Sequence, residues 1–297
     1  MTESWKHRPP LRSPRFAHEV ARAGDDLFVI GGTDGNTAHG SVETRKVTGS
    51  GEWQHASPMP VPRTDLAVGV AGGRVYAAGG TVGEAATDVV DRYDPLLDEW
   101  SPAAPLPAPL ASASAAGLGG KLYVAGGSGT GEPATDAVLG YDPEEKRWDP
   151  VAPMRTPRAR FRLLATETHL YAIGGLTGGP WDVLDSVERY SPETDTWETV
   201  APMHKRRVLP GVALLGDRIV VVGGAPAAED PGARDRTTEV LDLGTGAWHL
   251  LGTLLPHGRS SVVCVAGPAH RILAIGGRAN VFGRQATVSD VLSLKVP

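Results

Sequence analysis

The side chains in this chain best suited to chemistry are arginines. Arg155, Arg158, Arg160 and Arg162 crowd one short segment, while Arg15, Arg63, Arg207 and Arg259 each lead into a comparable apolar stretch. A guanidinium is permanently charged and offers a flat fork of donors. A set of them around one cavity would capture a carboxylate, a phosphate or an acidic peptide. The same forks can equally be spent on backbone carbonyls, and the residue types alone leave both roles open. Groups able to move a proton are fewer. His257 lies beside Arg259, and Glu19 and Asp65 follow Arg15 and Arg63 closely. Trp181 sits in the Gly-rich run Thr177 to Asp182, and Phe282 stands between Arg278 and Arg284; an aromatic in such a loop can serve as a platform for a ligand.

Other short patterns fail on inspection. Gly117-Leu118-Gly119-Gly120-Lys121 has Leu122 where a phosphate loop needs a magnesium-binding hydroxyl, and it reads as a hairpin turn. Gly126 to Gly131 lacks dinucleotide spacing and a βαβ context. The nine His are scattered and Cys264 is the only cysteine, so neither a metal site nor an internal disulfide is expected. The formal net charge of -5 argues against a nucleic-acid partner. No apolar run approaches the length that spans a bilayer, and the first ten residues lack the apolar core of a secretory signal. These features predict a cytoplasmic monomer without cofactor, metal or membrane contact.

The elements that must position those side chains come from a repeat. An apolar stretch ending in Gly-Gly occurs six times, at Gly31, Gly79, Gly126, Gly174, Gly223 and Gly276, with intervals of 48, 47, 48, 49 and 53 residues. Trp53, Trp100, Trp148, Trp197 and Trp248 follow the first five doublets at a nearly constant offset, and seven residues before them stand Lys46, Tyr93, Tyr141, Tyr190 and Leu241. Each unit reads as four short strands separated by Gly, Pro and Asp turns. In the second unit these are Leu66 to Val70, Arg74 to Ala78, Val89 to Tyr93 and a strand beginning at Glu99.

Gly-Gly, then Tyr-Asp-Pro, then Trp and a Pro-Met-Pro-x-Pro-Arg-like turn resembles the kelch repeat, in six phased copies over essentially the whole chain. The resemblance implies one all-β domain over residues 1–297, a six-bladed β-propeller of four-stranded kelch blades. The sixth unit ends without its Trp. Trp5 precedes Arg15 by the ten residues that separate Trp53 from Arg63. The N-terminal segment should therefore supply the outer strand of the sixth blade and close the ring.

In kelch propellers the turns into the inner strands and the turns after Gly-Gly converge on one mouth of the central channel. By that resemblance Arg15, Arg63, Arg158, Arg160, Arg162, Arg207 and Arg259 ring the mouth, with Leu110 in place of Arg in the third blade, and Trp181, Arg278 and Phe282 overhang it. His18 occupies a position often filled by His in the repeat. Copper radical oxidase chemistry, known on some kelch propellers, is not expected, because every Tyr here is explained by the repeat. The expected function is capture of an anionic small molecule or acidic peptide at this mouth. The alternative is a metal-independent, non-redox enzyme, an isomerase, lyase or cyclase, using His257, Glu19 or Asp65 in the same pocket.

Overall fold

The computed structural model describes residues 3–49, 51–179, 181–227, 234–281 and 284–296. Runs of four to six alternating residues are too short for helices but suit strands, and among the described residues only strands, turns and bends occur. Six four-stranded antiparallel sheets result. The second is typical: Ala67–Ala71 is innermost, followed outward by Arg74–Ala78, Val90–Asp94 and Glu99–Pro102. The other innermost strands are Glu19–Ala23, Ser114–Leu118, Arg162–Ala165, Gly211–Leu215 and Val263–Gly267. Each packs against the innermost strands of both neighbours, the sixth against the first, so the sheets form a closed ring of blades around a central channel.

The chain ends meet in the sixth blade. Lys6–Arg8 pairs antiparallel with Val291–Lys295, Lys6 opposite Ser293 and Arg8 opposite Val291, as the Trp5 spacing predicts. This pairing covers an edge strand that would otherwise present unpaired backbone groups.

The repeated residues hold the blades to one another. Gly79 and Gly80 have φ of 60° and 99°, and a Cβ on Gly79 would lie 2.3 Å from the Leu110 carbonyl oxygen of the next blade. Only glycine permits both the left-handed backbone and that approach. Tyr93 packs on Trp100 with ring centroids 5.1 Å apart, and the Trp100 indole donates to the Ser57 carbonyl of the preceding blade at 2.8 Å. Trp148, Trp197 and Trp248 make the same bond to Ala104, Ala152 and Ala201. Between blades lie apolar clusters such as Phe28, Ile30 and Val42 with Val75, Ala77 and Tyr93. Each such large side chain contributes about 1.5–3 kcal/mol by leaving water. Among the described residues no helix is long and apolar enough to cross a membrane.

Candidate functional site at the mouth of the central channel

The repeated arginines are built into the blades. Arg15, Arg63, Arg158 and Arg207 are 0% exposed and Arg259 is 1% exposed. Arg63 donates to the Gly79 and Val89 carbonyls at 3.0 and 2.8 Å and to the Asp91 carboxylate at 2.5 Å. Arg158 repeats this with Gly174, Ser186 and Glu188 at 2.8, 3.0 and 2.9 Å. Arg15, Arg207 and Arg259 pair with Glu43, Glu239 and Asp290 at 2.7, 2.7 and 3.1 Å. The expectation that these five line a ligand site is therefore corrected. Their surfaces are sealed, and their terminal nitrogens are spent on carbonyls and a carboxylate of the same blade. A buried guanidinium is tolerated only when paired in this way.

Two residues further on, the chain turns into the channel through a left-handed residue in every blade. Ala17, Asp65, Ser112, Arg160, Leu209 and Ser261 have φ between 51° and 57°. None is glycine, so each conformation carries a cost of about 1 kcal/mol that neighbouring structure must offset. Much of the offset is a collar of backbone hydrogen bonds around the mouth. Asp65 N donates to Ala17 O at 3.1 Å, Ser112 N to Asp65 O at 2.8 Å, Arg160 N to Ser112 O at 2.9 Å, Leu209 N to Arg160 O at 2.9 Å and Ser261 N to Leu209 O at 3.0 Å.

Below the collar is a cavity of about 370 Å³ walled by the innermost strands, among them Glu19, Val68, Ser114, Arg162, Val212 and Cys264. Glu19 and Arg162 belong to the first and fourth blades, opposite one another in the ring, and they form an ion pair across the channel. Arg162 also donates to Pro210 O of the fifth blade at 2.9 Å and to Val262 O beside the sixth at 3.4 Å. One side chain thus cross-braces the channel.

Burial pushes the Glu19 carboxyl above its ordinary range; Arg162 opposes the shift and nearby Asp65 adds to it. Asp65 is raised too, again by burial, with Arg160 and Thr64 opposing. A buried carboxyl raised in this way can retain its proton closer to neutrality. Cys264 is pushed up to about 12 by burial, so its thiol is inert as a nucleophile. His18 is fully enclosed; burial, then the charges of Arg15 and Arg162, drive it well below the usual imidazole range, against a hydrogen bond to the Ile275 backbone.

The channel mouth therefore gathers Glu19, Asp65, Arg160 and Arg162 out of the wider set of expected residues. Arg160 is exposed, Asp65 is half-buried, and both sit on the collar. His257 is half-buried but does not line the channel cavity. Trp181 is 66% exposed. Arg278 lies over the Phe16 ring, 4.4 Å from its centroid, and is half-buried there. Phe282 lies outside the described residues. A separate basic concavity of about 650 Å³ is walled by Lys205, Arg206, Arg234 and Arg236 together with Asp235.

Two elements escaped sequence reasoning. Left-handed non-glycine residues leave no compositional mark, so Ser112, Leu209 and Ser261 gave no sign of the collar. The acidic partners did leave one. Glu43, Asp91, Glu188 and Glu239 follow their arginines by 28 to 32 residues, and where Leu110 replaces Arg the matching position is Leu139. In the sixth blade that position is Leu292, and Arg259 pairs instead with Asp290, two residues earlier; only the third blade lacks both the arginine and an acidic partner.

Comparison with known proteins agrees with this architecture. The kelch motif matches residues 62–107 and 157–204, and a second form of the motif matches 109–155, which takes in the second, third and fourth blades. This is a kelch-repeat protein. The solved structure of YjhT shares the kelch propeller fold, with a TM-score of 0.81 over 96% of each chain at 17% sequence identity. At that identity the likeness is one of fold. No curated protein sequence matches the chain.

Proposed function

We propose that this kelch propeller uses the collared mouth of its channel to bind a small anionic molecule or the acidic side chain of a peptide. The observation that carries the reading is the segregation of the arginines. Five are consumed inside the blades, whereas Arg160 is left exposed on the collar, two residues before the channel-spanning Arg162. A cation at the rim of a low-dielectric cavity concentrates anions there. Trp181, exposed on a loop of the same fourth blade, is the side chain we assign as the ligand's apolar platform.

The test is a thermal-shift screen of small carboxylates, phosphates and short acidic peptides, repeated on Arg160→Ala, Trp181→Ala and Arg206→Ala. A hit should stabilise the parent and lose at least tenfold in affinity in Arg160→Ala. Trp181→Ala should keep its unfolding free energy within about 0.5 kcal/mol, as an exposed side chain does, while weakening the ligand. Loss of binding with Arg206→Ala instead of Arg160→Ala would overturn the reading by moving the site to the basic concavity.

The raised carboxyls of Glu19 and Asp65 favour a second reading, a cofactor-independent isomerase, lyase or cyclase in the same pocket. A substrate carboxylate held by Arg160 would bring its neighbouring carbon over Asp65, which would act as general base or acid. Turnover that disappears in Asp65→Asn while ligand binding persists separates catalysis from capture.

A further inference from the structure

The third blade departs from the repeat in one place. Where the other five blades carry a buried arginine, it carries Leu110. The position that holds Glu43, Asp91, Glu188 or Glu239 in four of them holds Leu139, and Ala137 stands where the sixth blade supplies Asp290 to Arg259. Both leucines are half-buried, whereas the ion pairs they replace are almost wholly sealed. Leucine is shorter than arginine and carries no donor, so the exchange leaves space behind. A cavity of about 820 Å³ opens at this point, walled by Leu110, Leu139, Val124 and prolines such as Pro109 and Pro133.

The backbone oxygens that the arginine serves elsewhere are still in place. Arg63 and Arg158 each donate to the first glycine of the doublet and to the residue just before the third strand. The third-blade equivalents are Gly126 and Ala137, and both line the cavity. Each carbonyl has two lone pairs, and the Gly126 amide uses one on Ala137 O, as the Gly79 amide does on Val89 O. Among the described residues the charged ones on the cavity wall are Glu132 and Asp136, with no Lys or Arg. Apolar walls, acceptors shaped for a guanidinium and a negative rim together select one chemistry.

We propose that the third-blade cavity binds a small organic cation, a guanidinium or primary ammonium on an apolar stem, whose head occupies the place of the missing repeat arginine. The head donates to Gly126 O and Ala137 O, the stem lies on Leu110 and Leu139, and Glu132 and Asp136 supply the countercharge. This site is independent of the channel mouth and takes the opposite charge. The stem provides affinity through buried area, and the head provides selection through the carbonyls' remaining lone pairs.

The probe is n-hexylguanidinium, titrated into the whole protein by calorimetry, with n-hexanol and hexanoate as controls. Saturable binding of the cation at least tenfold tighter than of the alcohol, with no binding of hexanoate, is expected. The double variant Leu110→Arg, Leu139→Glu rebuilds the pair of the other blades and should fold with an unchanged or raised Tm while binding is lost at least tenfold. Asp136→Lys, a half-exposed loop change, should weaken the cation by a similar factor and leave n-hexanol unaffected. No saturable binding, equal binding of cation and alcohol, or full binding by both variants would overturn the proposal.

Discussion

Arg158 and Arg162 stand four residues apart in the lead into the fourth blade, and their surroundings differ completely. Arg158 is enclosed by its own blade, between two carbonyls and Glu188. Arg162 leaves its blade, spans the channel to Glu19 and takes carbonyls from two further blades. The first arrangement repeats around the ring and stabilises single blades. The second occurs once and ties four blades to one another. Identical side chains at neighbouring positions thus divide the scaffold from the site, and what separates them is whether a partner carboxylate waits inside the blade.

The sharpest way to break that comparison is to remove a sealed arginine. Arg63→Leu strands Asp91 without its cation in a buried setting and should cost about 3–5 kcal/mol in denaturant unfolding. Adding Asp91→Leu copies the third blade and should restore most of that loss. Failure of the double variant to recover would mean that the guanidinium is needed for its bonds to Gly79 and Val89 rather than for the ion pair. Arg162→Leu removes the cross-brace. Its partner Glu19 keeps some contact with the channel and can take up a proton, so the loss should be smaller, about 1–3 kcal/mol. A loss as large as that of Arg63→Leu would place Arg162 with the scaffold.

The smallest effect expected is a pH slope from His18, which packs against the Gly276 backbone between the two types of arginine. Its folded pKa lies well below the ordinary value because burial and two cations exclude the charged form. Below about pH 6.5 the unfolded chain takes up a proton that the folded chain refuses. Stability is therefore intact above that pH and falls as the pH drops, by up to about 1.4 kcal/mol per unit. In His18→Leu this part of the slope should vanish, as unfolding curves at pH 7, 6 and 5 would record.

The scaffold was legible in the sequence because its determinants are local and repeated. Gly-Gly doublets, Tyr and Trp at fixed offsets and the Trp5 spacing each restate the same register, and the fold follows from counting them. The site was only half legible. Burial of Arg15 or Arg63 depends on a carboxylate 28 residues away in sequence, and the arginines taken without those carboxylates point to the ligand instead. Glu19 and Arg162 are 143 residues apart and meet only because their blades face each other across a closed ring, with two blades between them on either side, a relation no local pattern encodes. His257 stands out in sequence only by its type, and its place off the channel wall follows from loop geometry that composition does not report.

The way the ring is fastened also sets how it responds to force. Lys6–Arg8 runs antiparallel to Val291–Lys295, so the two chain ends leave the sixth blade from the same end of that short ladder. A load applied between Trp5 and Val296 pulls across the strands and meets the backbone bonds one pair at a time, beginning next to Lys6 and Ser293. Such a clasp peels; it does not shear. A tether on either terminus would unlatch the propeller at low tension while the other five blades, each complete within one continuous stretch of chain, kept their strands.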